Sequence, residues 1–373
     1  MDKFFCGLLL SLEHRCSVLR DRLAAMQTDP VLSEQARLAY QEVEQVRRDV
    51  QELLTDPDLG ASIVLRNQLQ RFQRWNEQIL QVEAYLFPLL ERFTEHDQKI
   101  TELCRHLTAQ IGWPLLPPLV VACSQQYYWT QPQYNTIWVP AAEGTTLLGL
   151  PDLCHELGHI LLLHHEAILT GAFIQELVAY ILQEQRRVET QQRPPDYRAL
   201  YDQLLVQWLD EWLREFVADM VATYLVGPAY GWQHVRLCSG SKRTAYHPAL
   251  EEKAVHPADE ARLRAILEVL NLLAPRQTGE RIKALWDSYL AASGETMPPE
   301  YMVCYPDSLL ASLAADVVAG CQTLGLQSFK LGGDADQNLP SLFLEAWERF
   351  LADPQTYDQW ELPRLEALWK TLH

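Results

Sequence analysis

The stretch Leu153-Cys154-His155-Glu156-Leu157-Gly158-His159-Ile160-Leu161-Leu162 decides how this chain is read. Histidines four residues apart leave nearly the same face of an α-helix, so both imidazoles can reach one ion. Glu156 sits next to the first of them and can reach a water on that ion. The spacing carries this meaning only in a helix and with a third ligand. Gly149, Pro151 and Asp152 punctuate the chain just before it, and Asp152 is placed to N-cap a helix. From Leu153 to Leu169 there is no proline, and Gly158 is the only glycine. Leu157 and Gly158 are uncharged, so such a helix can be buried at the site. The plainer reading of the same residues is a pair of core histidines beside a surface glutamate.

The third ligand separates the classes. His165 stands ten residues after His155, where metzincins place theirs, but Leu162 occupies the position at which metzincins carry a helix-breaking glycine. In an unbroken helix His165 lies roughly 120° around from His159 and points away from the ion. His164 and His165 therefore read as solvated or outlying histidines. The other candidate lies in Trp212-Leu213-Arg214-Glu215-Phe216-Val217-Ala218-Asp219-Met220-Val221-Ala222. Glu215 and Asp219 are four apart among apolar neighbours, and carboxylates so embedded need a metal or a partner. Glu-x-x-x-Asp on a second helix is the gluzincin arrangement. The glutamate completes a His155, His159, Glu215 set, and the aspartate fixes a ligand histidine's tautomer. An ordinary acidic helix face is the alternative.

A third segment, His256-Pro257-Ala258-Asp259-Glu260-Ala261-Arg262, opens another helical pattern. With it, the chain resembles the HtpX and CAAX prenyl endopeptidase family of gluzincins over roughly residues 115–270. The motifs that carry the resemblance are His-Glu-x-x-His at 155–159, Glu-x-x-x-Asp at 215–219 and His-Pro-x-x-x-x-Arg at 256–262. The resemblance implies that His256 contacts the metal or the oxyanion, and that Arg262 pairs with Asp219 or binds substrate. The chain departs from the family in lacking its transmembrane helices, so a prenylated or membrane substrate is not implied. Without the resemblance, His256 is simply a loop residue ahead of Pro257.

Upstream, Pro118–Cys123 and Thr136–Pro140 are short β-prone runs, joined by a polar and aromatic connection over 124–133. Residues 136–139 are assigned the edge strand on which an extended peptide would add. A two-stranded cap on a helical core is the alternative. Residues 32–55 and 63–110 carry apolar residues at three- and four-residue spacing and read as an antiparallel helical hairpin. Its apolar stripe serves intramolecular packing or, alternatively, a protein partner. After residue 275, helices are expected over 278–292, 306–325 and 340–372.

Composition sets the bounds. The 373 residues, 48% hydrophobic and 21% charged, can bury a sizeable core. A net charge of −18 repels phosphates, which excludes nucleic acid as a partner. The eight cysteines show no C-x-x-C pair and read as buried thiols of a reducing cytoplasm. The apolar run at 4–10 is short and lacks a cleavage site, and no run of about 20 apolar residues is found to span a bilayer.

The expectation is a mainly α protein in three regions: an N-terminal helical hairpin at 1–112, a zincin-like core with a small β-sheet at 113–275, and C-terminal helices at 276–373. The expected activity is that of a zinc metallopeptidase acting on a protein or peptide. One Zn2+ per chain is held by His155, His159 and Glu215. Glu156 is the general base on a water whose pKa the ion lowers to about 7. His256 is the first candidate for the oxyanion donor, with Tyr230 and Tyr246 behind it. Asp219 and Arg262 support the ligands. The alternative is a regulatory or sensor protein whose zincin site is latched, with His256 as the latch.

Overall fold

Apolar residues spaced by three and four turn the first hundred residues into helices with one buried stripe. In the computed structural model these are α1 (Asp2–Met26), α2 (Ser33–Leu54), α3 (Leu65–Gln81), α4 (Phe87–Arg92) and α5 (Glu95–Gln110). A π-helical turn at Val82–Leu86 joins α3 to α4. The structure describes residues 2–372 apart from 62, 125–126, 191, 193–196, 241–243 and 247–255. The connection expected at 124–133 thus falls partly outside the described residues, at 125–126. The apolar run at 4–10 begins α1, which buries Phe5, Leu9, Leu12, Cys16, Leu19 and Leu23. Helix α2 packs chiefly on α1, so the principal helical pair is α1 with α2 rather than α2 with the 63–110 segment.

Three short strands follow: β1 (Leu119–Val121), β2 (Trp129–Gln131) and β3 (Thr136–Trp138). Their order is β1-β3-β2. This corrects the sequence reading twice. The segment read as a connection contains a strand, and β3 is the central strand rather than the edge. Trp129 stacks on Trp138 with centroids 4.2 Å apart, a cross-strand aromatic pair that holds β2 in the sheet.

The rest of the chain is helical: α6 (Asp152–Thr170), α7 (Phe173–Glu189), α8 (Tyr197–Gln207), α9 (Leu213–Val226), α10 (Pro228–Ser239), α11 (Asp259–Leu273), α12 (Arg276–Ser293), α13 (Tyr301–Cys304), α14 (Asp307–Thr323), α15 (Leu339–Ala352) and α16 (Tyr357–Thr371). The expected helix over 340–372 is two helices, because Asp353 and Pro354 interrupt it. The chain forms two compact units. One holds Met1–Thr101, Pro118–Val121 and Gln133–Thr136. The other holds Glu102–Pro117, Ala122–Pro132 and Ile137–His373, the C-terminal helices included. The core of this second unit is α6 packed on α9, with α11 and α14 against both or one of them. By length and composition the stretch Tyr301–Thr323 could cross a membrane, as could α6 and α7 taken together across their 68° bend. Half of the first window is buried within the protein, as in a core helix.

Candidate metal centre

Helix α6 does not start as its sequence suggested. Pro151 takes the cap position, and Asp152 is the first helical residue. The Asp152 carboxylate turns aside to accept hydrogen bonds from the Tyr127 hydroxyl and the Gln233 amide, each at 2.6 Å. Nearly two turns on, α6 meets α9 at Gly158. A Cβ there would lie 2.7 Å from Ala218 Cα and 3.1 Å from its carbonyl oxygen, so only glycine permits this approach. The close crossing brings the ligand-bearing turns of the two helices together. At its far end α6 breaks at His165 (φ −135°, ψ 27°), so the helix is not unbroken where the third-ligand argument assumed it was. His164 is exposed and His165 half-buried, and neither joins the cluster described next.

His155 and His159 of α6 and Glu215 of α9 converge as the motifs anticipate. Their donor atoms all lie within 4.8 Å of one another. His155 Nε2 is 3.2 Å from His159 Nε2, His155 Nε2 is 3.6 Å from Glu215 Oε2, and His159 Nε2 is 3.5 Å from Glu215 Oε1. Metal–ligand bonds of about 2.0–2.1 Å in a tetrahedron put ligand atoms about 3.3–3.4 Å apart. The three measured edges bracket that value, so the residues present could hold a metal ion. Two imidazole Nε2 atoms this close repel unless a proton or a cation lies between them.

The surroundings fix which nitrogens face the ion. His155 Nδ1 is 3.0 Å from Asp219 Oδ1, a residue with no exposure at all. An uncharged imidazole beside that carboxylate keeps its proton on Nδ1 and leaves the Nε2 lone pair free. Asp219 also accepts from both arms of Arg262, with Nε to Oδ2 and Nη2 to Oδ1 each at 2.7 Å. Of the two roles implied for Arg262, the pairing with Asp219 is the one seen, and Arg262 Nη2 also lies 3.4 Å from Glu215 Oε2. Burial favours the uncharged carboxyl, but Arg262 and His155 outweigh it and hold Asp219 ionised far below the usual carboxylate range.

Electrostatics divide the cluster. Burial opposes a charge on His155, yet its contacts with Asp219 and Glu215 prevail and raise it to about 10. Among the described residues His159 has no such carboxylate behind it, and burial lowers it to about 4. Glu215 is drawn well below its usual range despite burial, by its contacts with His155 and His256. Glu156 is 4% exposed, and burial pushes it up to about 8. Among the described residues nothing donates a hydrogen bond to it, which leaves both its oxygens available to a small molecule.

His256 sits at the rim, with Nδ1 3.2 Å from Glu215 Oε2 and a side chain 37% exposed. It lies outside the three-residue ligand group. Tyr246 packs edge-on against Tyr301, with centroids 5.2 Å apart. Tyr230 is 2% exposed and stands behind His155, on the Nδ1 side, which removes it as an oxyanion donor. Cys154 is fully buried and serves packing, whereas Cys123 is exposed, unlike the buried thiols expected. Two contributions escaped the sequence reading. Gly158 carries a signal there, a glycine inside a helical pattern, which marks a close approach. Tyr230 carries none, since its direction depends on how α10 turns back. Comparison with known protein families, curated proteins and solved structures returns no match for this chain.

Proposed function

We propose that the chain is a zinc-dependent metallopeptidase of gluzincin type, hydrolysing peptide bonds of a protein or peptide. The observation that carries the reading is the pairing of a near-tetrahedral His155, His159, Glu215 triad with a buried carboxylate, Glu156, to which no group among the described residues donates a hydrogen bond. Two imidazoles and one carboxylate are the donor set of a catalytic rather than a closed structural zinc site, because a fourth position is left for water or substrate. A bound zinc ion would supply Lewis acidity toward a carbonyl and acidify water. Glu156 takes the proton of the attacking water on its carboxylate and delivers it to the departing amine nitrogen. Asp219 and Arg262 hold His155 and Glu215 in register. His256, at the rim and half in solvent, is the side chain from which an oxyanion could accept a hydrogen bond.

A second reading, a regulatory protein with a latched site, draws on the same contact of His256 with Glu215. One set of measurements separates the readings. Zinc content per chain is determined together with cleavage of a proteome-derived peptide library, for wild type, Glu156→Gln and His256→Ala. The peptidase reading expects about one zinc per chain, retained in Glu156→Gln with cleavage reduced by several orders of magnitude. It also expects His256→Ala to be slower by about 10²–10³-fold. A latch predicts the reverse, faster cleavage by His256→Ala. Undiminished cleavage by Glu156→Gln would sink the mechanism.

A further inference from the structure

A single residue, Gly227, separates the end of α9 from the start of α10. Gly227 makes the reversal at φ +60°, ψ −134°, and a Cβ there would lie 2.5 Å from the Phe329 ring. Both facts demand glycine. The reversal carries Tyr230 back over α9. Its hydroxyl donates a hydrogen bond to Asp219 Oδ1 and lies 3.0 Å from His155 Nδ1. The Tyr230 and His155 rings are within 12° of parallel, with centroids 6.0 Å apart.

We infer that Tyr230 is a positioning residue of the metal centre, clamping the Nδ1 edge of His155 together with Asp219 so that Nε2 is aimed at the ion. The inference rests on the metal-site reading above. A single acceptor at Nδ1 fixes the tautomer but lets the imidazole pivot about one hydrogen bond. The phenol adds a second polar contact on the same edge and a parallel ring beside the imidazole, so pivoting breaks both. The same hydroxyl is one of the donors that keep the Asp219 carboxylate in place, the others being the two Arg262 N–H groups and His155. Four helices thus converge on one carboxylate: α6 through His155, α9 through Asp219 itself, α10 through Tyr230 and α11 through Arg262. Tyr230 reaches the ligand on the side opposite Nε2 and acts through it, without touching whatever the ion binds.

The test uses the full chain and two probes, Zn2+ in competition with a chromophoric chelator and Co2+ read by its visible absorption. Tyr230→Phe keeps the ring and removes the hydroxyl. Zinc affinity is expected to fall by about 10–100-fold, as losses behind a ligand do, with a shifted Co2+ spectrum. A purely structural role would leave the spectrum of the folded protein unmoved. Wild-type zinc affinity and an unchanged Co2+ spectrum in folded Tyr230→Phe overturn the inference while leaving the metal site standing. A wild-type chain that binds neither ion overturns the metal-site reading itself. Should Tyr230→Phe not fold, 3-fluorotyrosine at position 230 keeps the shape and strengthens the phenol as a donor. A changed zinc affinity then supports the clamp, and an unchanged one overturns it.

Discussion

Helices α2 and α9 meet their surroundings in opposite ways. Helix α2 buries a stripe (Ala36, Ala39, Val43, Val46, Val50, Leu53) and turns its charges outward, where Arg37 pairs with Glu34 and Arg47 with Glu44. Helix α9 is buried on nearly every side, with Arg214 as its one exposed position. A carboxylate such as Glu34 on α2 can dissolve its charge in water, whereas Glu42, the one burial pushes up, takes a hydrogen bond from the Tyr134 hydroxyl. A carboxylate on α9 must find a cation, a donor or a metal, because burying a lone charge costs far more than a fold can spare. The acidic residues of α9 are therefore informative in a way that those of α2 are not.

Substitutions can break that contrast or sharpen it. The largest effect is expected at Arg262. Arg262→Ala takes the bidentate cation from buried Asp219 and leaves it only His155 and the Tyr230 hydroxyl, with an expected loss of about 3–5 kcal/mol in chemical denaturation. A loss below about 1 kcal/mol would mean that the Asp219 pocket admits water and that α9 is not the closed environment described. Next comes Gly158→Ala. The added methyl has no room against Ala218, so α6 and α9 must part. The expected cost is about 1–3 kcal/mol, accompanied by weaker zinc binding in the chelator competition. Unchanged binding would show that the ligand geometry does not depend on this crossing. The smallest effect belongs to α2. Arg37→Ala removes a solvent-facing pair to Glu34, and the expected change is under about 1 kcal/mol. A larger loss would contradict the view that the Arg37 and Glu34 charges are merely solvated.

The same contrast explains what was legible from residues alone. Four-residue spacing is local, so the convergence of His155 with His159, and of Glu215 with Asp219, could be read before any coordinates. Helical periodicity likewise gave α2 and α3. Strand order was not legible, since three-residue strands carry almost no alternation, and β2 lay hidden in a polar stretch. Asp152 was misjudged because a capping residue and the first residue of a helix are one position apart, and only the tertiary partners Tyr127 and Gln233 decide between them. The break between α15 and α16 was present in the sequence as Asp353-Pro354 and was passed over. Tyr230 depends on a turn at Gly227 that sets its direction, which no local pattern records.

The saturated Asp219 carboxylate has one more consequence, for the order in which this protein is made. Its donors arrive on α6, α10 and α11, so helix packing by itself holds the Asp219 side of the proposed ion seat in place. In zinc fingers the ion is the nucleus of the fold. Here it would be a passenger, loaded into a chain already folded and exchangeable with the scaffold left standing.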